Sequence, residues 1–483
     1  MKAGIFSCRT VPQPGKRQSR SIPRPDADRL PDYEKALERA AGLLRDLATR
    51  TLPNAGGGWL ELLRNAGLGG RFAGLDLEDK RLLLELFTKS AADYLAGWFE
   101  SDVVIGAFAF DGIVGAYAAP STPGTASVLV HHCSGEVRGR SGDWGHAMGG
   151  MGSVSRSIAA AAREAGAEIR TGAKVKAVAV DGGRAVGVEL SSGEFIKARA
   201  VAYDVGPKLL FRDLVPIGSV DQSIARRFVG LKSDSGIFRM NVALSDLPNF
   251  TCRPSGGGLA GDHHGAGIII GPTLEYLERA YLDARNEGWS RQPVIEMLIP
   301  STVDQTLAPE GQHVASLFIQ HVAPQFPSGR SWSDPSERVA FADFAIETVS
   351  SYAPNFKASV LARQLHSPLD LEDKFGLVDG DIFHGQMNLD QIFSARPVLG
   401  YGDYRMPLEG LYLRGAGAHP GGGVTGLPGR SAAREIQKDL DGGFFGFRRV
   451  ARGDPRPAGV SAAATEAIVY FLRSLVLVDA HGE

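Results

Sequence analysis

The sequence predicts an α/β protein with a domain of the dinucleotide-binding type. Residues 411–433 begin as an apolar strand, Leu411–Leu413, and continue through a seven-glycine segment in which a helix starts near Thr425–Gly426. Residues 144–204 contain a glycine turn, a helix and short strands separated by hairpin turns. A strand that leads through glycines into a helix aims backbone N–H groups and the positive helix end at an electron-rich ligand.

Composition excludes several classes of protein. The chain has 483 residues, 43% of them hydrophobic, and a net charge of −2. This length suffices for two or three domains, and the charge argues against nucleic acid as a partner. Cys8, Cys133 and Cys252 form no Cys-x-x-Cys motif, so we expect neither a zinc ribbon nor a disulfide framework. His131-His132-Cys133 has no further ligands at metal-binding spacing, and no metal site is predicted.

Both ends of the chain differ from the rest. The first 25 residues hold six Lys or Arg and no acid, as in a transit peptide, but four prolines oppose the helix that such a signal needs. Residues 1–30 are therefore predicted to be a disordered or atypical tail. The apolar run Ala467–Val478 has twelve residues, too few to span a membrane. It is predicted to be a buried or docking helix, with a role at a membrane surface as the alternative.

Periodicity divides the remaining chain. Residues 31–143 are predicted to be the helical part of a substrate domain, including an amphipathic helix over 81–98. Residues 205–400 form the α+β part of that domain, with strands at Phe238–Ala243, Val294–Ile299 and Val314–Gln320. Residues 144–204 and 401–440 supply the dinucleotide-binding domain, and 441–483 form an extension.

Residues 144–204 show the insertion pattern of two-dinucleotide-binding proteins, with a generic α/β hairpin unit as the alternative. The predicted elements are a helix over Ser153–Glu164 and strands at Glu168–Arg170, Val175–Val180, Ala185–Leu190, Phe195–Ala198 and Val201–Tyr203.

Short motifs in a fixed order connect these regions to a known family. They are Trp98–Ser101, Thr122–Gly124, His131-His132, Gly149–Gly152, Ile299–Ser301, Leu307–Pro309, Tyr352–Pro354, Ile382–His384, Leu389–Gln391, Ala395–Pro397 and Gly415–Gly429. Together they resemble the phytoene desaturase-like branch of flavin amine oxidase-type enzymes, and within it the pyridine nucleotide-disulfide oxidoreductase domain-containing protein 2-like group.

This resemblance implies a Rossmann-like FAD domain of the two-dinucleotide-binding type beside an α+β substrate domain. It implies FAD as the cofactor and hydride transfer to flavin N5 from a small apolar or amine-type substrate. The location implied is the mitochondrial matrix for a eukaryotic chain and the cytoplasm for a bacterial one. No integral membrane segment is expected, and the sequence predicts no oligomeric state.

The resemblance also assigns candidate site residues. The expected flavin contacts are Gly415, Gly417, Gly421, Gly422, Gly423, Val424 and Gly426, where the alternative is a glycine-rich surface turn. Val175 falls where a backbone amide and carbonyl would hold the adenine, unless it is a plain core valine. Met148–Gly152 resembles a lid over the substrate face of the flavin.

Two histidines are weak catalytic candidates. His419 lies inside the glycine-rich loop, and His384 lies on a strand-like Ile-Phe-His segment, so both are placed on the substrate side. Transfer of a hydride from carbon to flavin requires no protein base. Each histidine is otherwise a hydrogen-bonded structural residue.

One expected motif is missing near the N-terminus. The family opens with a strand, a Gly-x-Gly-x-x-Gly turn and a helix, whereas residues 1–25 contain only Gly4 and Gly15. The sequence therefore predicts an N-terminally incomplete FAD domain in which FAD affinity is weakened or lost. The alternative function is a catalytically incompetent, truncated relative that acts as a binding or regulatory protein.

Overall fold

The computed structural model describes residues 23–54, 66–137, 140–141, 145–255, 260–327, 329–442 and 475–478. Its helices, in chain order, are α1 (Arg24–Ala48), α2 (Ala66–Gly74), α3 (Leu77–Thr88), α4 (Ala91–Ala96), α5 (Asp102–Asp111), α6 (Ala126–Cys133), α7 (Gly152–Glu164), α8 (Pro207–Leu209), α9 (Gln222–Val229), α10 (Leu274–Glu287), α11 (Pro335–Tyr352), α12 (Phe356–Ser359), α13 (Pro368–Phe375) and α14 (Leu427–Asp441). A π-helical turn, Leu210–Leu214, follows α8.

The strands form two larger sheets, a meander and a hairpin. They are β1 (Glu136–Val137), β2 (Arg140–Ser141), β3 (Val175–Asp181), β4 (Arg184–Leu190), β5 (Phe195–Lys197), β6 (Ala200–Tyr203), β7 (Ile237–Leu244), β8 (Ile268–Ile270), β9 (Trp289–Leu298), β10 (His313–Val322), β11 (Val360–His366), β12 (Leu411–Leu413) and β13 (Leu475–Val478). The antiparallel sheet has the order β11-β7-β10-β9-β8, the parallel sheet β12-β6-β13 and the meander β3-β4-β5.

Helices near the N-terminus share one apolar core, to which α1 contributes Tyr33, Leu37 and Ala40. Helix α1 begins at Arg24, within the residues predicted to be a disordered or atypical tail. Proline is tolerated in a first helical turn, where Pro25 lies. Residues 1–22 lie outside the described residues. The carboxylate of buried Asp26 accepts hydrogen bonds from the N–H groups of Glu100 and Ser101, at 2.8 and 3.0 Å.

The amphipathic helix predicted over 81–98 is two helices, α3 and α4. Lys89 adopts an extended conformation, and Ser90 caps α4 by accepting the N–H of Asp93 at 3.0 Å. Serine favours this cap position because its hydroxyl satisfies an N–H group that the helix leaves unpaired.

The antiparallel sheet confirms three predicted strands, β7, β9 and β10. Side chains alternate along β7, with Phe238, Met240 and Val242 fully buried. This face packs against Phe341 and Val349 of α11 in one apolar cluster. The opposite face of the same sheet is more polar.

The parallel sheet and the meander bring residues 175–203 beside residues 411–413. Strand β6 is buried at every position and pairs with β12 in parallel, from Leu411 opposite Val201 to Leu413 opposite Tyr203. The hairpin turn between β3 and β4 places Gly182 and Gly183 at φ of 55° and 80°, as a two-residue turn requires. The strand predicted at Glu168–Arg170 is wrong, since the segment is irregular and its Ile169 side chain is exposed instead of packed.

The apolar run predicted as a final helix ends in a strand. Leu475–Val478 is β13, which lies parallel to β6 on the side opposite β12. Alternating Leu and Val suit a buried strand as well as a helix, so periodicity alone does not distinguish the two. Residues 467–474 lie outside the described residues. Among the helices of the described ranges, none is long and apolar enough to cross a membrane.

Candidate functional site

The candidate site lies where β6 and β12 end. Their carboxyl ends meet at one edge of the parallel sheet, the usual position of a ligand in such folds. The N–H of Arg414 donates to the carbonyl of Tyr203 at 2.6 Å, which continues the ladder past β12. The Arg414 guanidinium forms an ion pair with Asp204 at 3.2 Å, so the two strand ends are fixed together.

Three glycines of the loop serve the fold of the chain itself. A Cβ at Gly415, where φ is +89°, would lie 2.8 Å from the Asp204 Cβ, and one at Gly417 would lie 2.6 Å from Pro207. Separations this short exclude a side chain, so these two glycines permit close approach of neighbouring segments. Gly421 faces the flexible end of Met387, and its φ of +108° is what favours glycine there.

The remaining loop glycines border open space. A Cβ at Gly422 or Gly423 would make ordinary contacts, at 3.4 Å or more, and one at Gly426 would meet nothing within 4 Å. Gly426 caps α14 and has no side chain to accept the N–H groups of the first turn. Between them, Val424 has a φ of +57° and is 72% exposed. A β-branched residue in this conformation is strained, and such strain concentrates at functional sites. We refer to this segment, Gly422–Gly426, as the open arc.

His131 faces the open arc, and sequence reasoning considered it only as a metal ligand. It lies on helix α6. Its ring atom Cε1 would lie 3.8 Å from a Cβ at Gly423, and its ring is perpendicular to that of Phe383 with centroids 6.1 Å apart. Burial and the charge of Arg396 lower the pKa of His131.

Buried Arg396 joins the glycine-rich loop to the preceding segment. Its guanidinium donates to the carbonyls of Ala416 at 2.7 Å and Phe383 at 2.6 Å. Further hydrogen bonds reach the carbonyls of Gly385 and Gln391. Burial lowers the pKa of Arg396 to about 10. Apart from the Ala-Arg-Pro motif, nothing in the sequence predicts this role.

His419 is buried against the end of α1. Its Nε2 lies 3.1 Å from the carbonyl oxygen of Leu47, and its own carbonyl accepts the hydroxyl of Tyr404 at 3.1 Å. Only 2% of the residue is exposed, and burial lowers its pKa to about 4. These contacts tie the loop to a helix of the N-terminal region.

His384 lies in a turn and not on the predicted strand. Its φ of +58° is incompatible with an extended strand. The side chain lines a cavity large enough for about one water molecule, together with Gly206, Lys208 and Asp381. Burial raises the pKa of Asp381 to about 6.

Val175 and the Met148–Gly152 turn lie on other elements. Val175 opens β3, where its side chain is buried in the core beneath the meander and its backbone pairs opposite Leu190. The N–H of Gly149 donates to the carboxylate of Asp304 at 2.6 Å, which fixes the turn to the loop after β9. Met148 and Met151 are 65% and 55% exposed.

Comparison with known proteins first defines the broad class to which this protein belongs. Residues 77–211 match the family described as flavin containing amine oxidoreductase. The chain is also 25% identical over 327 residues to phytoene desaturase (lycopene-forming) of Paracoccus sp., with 66% of this chain and 60% of that protein covered. The fold is accordingly the α/β fold of FAD-dependent oxidoreductases, with a dinucleotide-binding-type domain and an α+β domain.

The narrower relationship rests on two mammalian proteins. The chain is 38% identical over 439 residues to pyridine nucleotide-disulfide oxidoreductase domain-containing protein 2 of Rattus norvegicus, with 88% of this chain and 75% of that protein covered. Identity to the Mus musculus protein is 38% over 431 residues, covering 86% and 73%. The chain belongs to the family of these proteins, which confirms the resemblance read from its motifs.

Proposed function

We propose that this chain oxidises a small organic substrate by transferring a hydride to FAD held at the carboxyl edge of β6 and β12. The observation that carries the proposal is the open arc Gly422–Gly426, which leads directly into the N-terminal end of α14, where the Thr425 hydroxyl accepts the N–H of Leu427 at 3.2 Å. In this proposal Gly422, Gly423, Val424 and Gly426 contact the cofactor directly. Gly415, Gly417 and Gly421 shape the loop, and the backbone of Val175 holds the adenine.

Bound flavin would supply the hydride acceptor, and the chain's own residues would set its surroundings. The N-terminal end of α14 carries partial positive charge, which favours negative charge on a neighbouring group. His131 and Phe383 cover the arc from the side of α6 and exclude water there. The pair Arg414–Asp204 keeps the two strand ends at fixed spacing.

This proposal assigns neither candidate histidine a role in proton transfer. His419 is bonded to Leu47 and buried, so we assign it to loop anchoring. His384 packs between strand ends, because a Cβ at Gly206 or Gly417 would lie 3.7 or 3.6 Å from it. Loss of a hydride from carbon is accompanied by loss of a proton from the oxidised substrate, and in this proposal that proton passes to solvent.

The visible absorption spectrum of the purified chain, before and after incubation with FAD and desalting, tests cofactor binding. A retained flavin band supports the proposal. A chain that stays colourless after FAD would overturn it and favour the catalytically incompetent relative that acts by binding.

A pair of variants tests the position of the cofactor. Gly422→Val adds a side chain beside the arc at a residue that does not require a left-handed conformation, so the fold should persist and the flavin band should fall at least tenfold. Gly429→Ala lies within α14, where a Cβ meets nothing within 4 Å, and should retain FAD. Equal flavin content in the two variants would place the cofactor elsewhere.

A further inference from the structure

The face of the antiparallel sheet opposite α11 carries a row of directly paired, partly charged side chains. Strand register aligns one residue from each of five strands across the sheet, and paired residues in neighbouring antiparallel strands share a face. The row consists of His366, Arg239, Phe318, Glu296 and Ile269. Arg239 and Glu296 flank Phe318, with backbones two strand spacings, roughly 10 Å, apart.

Asp111 lies close enough to Glu296 for their charges to interact. It is the last residue of α5, and burial together with the charge of Glu296 raises its pKa to about 7. Phe318 is buried in an apolar cluster with Ile237 and Leu371, against which Val114 and Ile382 pack. Asp111, Arg239 and Glu296 are half-buried, so the charged residues remain partly accessible.

Within the part of the chain that the structure describes, none of these three charges is in an ion pair. Arg239 donates one hydrogen bond, to the Ser316 hydroxyl at 3.0 Å, and its guanidinium lies 5.3 Å from the Phe318 ring centroid. Burial lowers the pKa of Arg239 and raises that of Glu296, while the attraction between their opposite charges opposes both shifts. Half-buried charges that lack a direct partner are costly, and a ligand that pairs with them offsets this cost.

Other arginines near the sheet differ in this respect. Arg363, the next charged residue of β11 on the opposite face, is ion-paired with Asp343 of α11. Arg338 is paired with Asp370 at 2.8 Å. Arg239 differs from these arginines because it contacts a hydroxyl and the face of an aromatic ring but forms no ion pair with a carboxylate.

The row is continuous with the candidate site. Phe383, which borders Gly422, follows Ile382, and Ile382 packs against the cluster that contains Phe318. Phe318 supplies an apolar surface between the positive and the negative ends.

We propose that this row binds a linear zwitterion, a short apolar chain with a carboxylate at one end and a protonated amine at the other. Arg239 binds the carboxylate, Glu296 and Asp111 bind the amine, and Phe318 contacts the methylene chain. Calling this ligand the substrate rests on the proposed function. Binding itself does not, since the row includes no residue of the glycine-rich loop.

Calorimetric titration of the full chain with four six-carbon probes tests the proposal. The probes are 6-aminohexanoate, hexanoate, hexylamine and 1-hexanol. We expect 6-aminohexanoate to bind at least tenfold more tightly than each of the others. Absence of binding by 6-aminohexanoate, or equal binding by hexanol, would overturn the proposal. The titration needs no flavin, so its failure is distinct from loss of the flavin band.

Variants test which residues bind each end of the ligand. Arg239→Gln should weaken 6-aminohexanoate at least tenfold and leave hexylamine unchanged, whereas Glu296→Gln should weaken hexylamine and leave hexanoate unchanged. Arg363→Gln, on the opposite face, is the matched control and should bind like the parent chain. If Arg239→Gln does not fold, Ser316→Ala replaces it, because it removes the hydrogen bond that orients Arg239 and should weaken 6-aminohexanoate several-fold. A control that weakens binding as much as these variants would contradict the assignment.

Discussion

At the scale of single residues, the glycine-rich loop combines positions that serve the fold with positions that border open space. His419 belongs to the loop by sequence, yet its ring is bonded to the Leu47 carbonyl and buried. A Cβ at neighbouring Gly422 or Gly423 would make only ordinary contacts, although the φ of +123° at Gly423 favours glycine. Residue type and position in the loop therefore do not show which residues serve the fold and which border open space. The contacts of each residue show it.

Replacement of His419 should change how stability depends on pH. A histidine in the unfolded chain has a pKa of about 6.5, and burial lowers that of His419 to about 4. As the pH falls from about 6.5 to 4, the unfolded chain takes up a proton at this residue before the folded chain does. The contribution of His419 to the free energy of unfolding is therefore fully present above pH 6.5. It is lost as the pH falls to about 4, by about 3 kcal/mol in all. When the pH is lowered from 7 to 5, the free energy of unfolding measured in urea should fall less for His419→Gln than for the parent chain.

The control for this prediction is His146→Gln. His146 is exposed, so its replacement should leave the difference between pH 7 and pH 5 unchanged. An unchanged difference in the His419 variant as well would mean that other groups, such as buried His321, govern acid sensitivity.

At the scale of elements, the segment before the glycine-rich loop is held by one side chain. Arg396 donates to carbonyls of residues 383, 385, 391 and 416 and is itself buried. Short turns without a strand ladder have few backbone partners of their own, so their carbonyls depend on this guanidinium.

Arg396→Met should destabilise the chain by about 3 kcal/mol or more, because several buried carbonyls lose their donor at a cost of about 1–3 kcal/mol each. The measurement is the midpoint of urea unfolding. Arg430→Met, at an exposed position of α14, should shift the midpoint little. Similar midpoints for the two variants would show that water satisfies the carbonyls when Arg396 is absent.

Elements with local signals could be predicted from the sequence, and those set by tertiary contacts could not. Alternation along β7 and the Asp-Gly-Gly turn after β3 are local, and both predictions are confirmed. The turn at His384 depends on contacts with Gly206 and Gly417, which lie far away in sequence. The assignment of Gly422, Gly423, Val424 and Gly426 to the cofactor stays a prediction, as do the domain boundaries and the role of Val175.

At the scale of the whole molecule, one amphipathic helix is left largely uncovered among the described residues. No residue of α7 is buried, and Ile158 is 63% exposed on the same side as Met151. Exposed apolar surface favours association, most strongly when net charge is small, and this chain has a net charge of −2 with an isoelectric point near 6.6.

Ile158→Glu should therefore reduce concentration-dependent light scattering near pH 6.6 by interrupting that apolar surface. Ile217→Glu is the matched control, because Ile217 is fully exposed in a loop and adds the same charge. We expect the first variant to scatter less than the second. Equal scattering would mean that net charge alone controls association.

The partners of β6 have a consequence for synthesis of the chain on the ribosome. Strand β6 is wholly buried, but its neighbours β12 and β13 follow it by more than 200 residues. At about 5–20 residues per second, roughly 10 to 40 s pass before the first of them is translated. During that interval the nascent strand has neither ladder partner, which makes it a segment for chaperones to shield until translation is nearly finished.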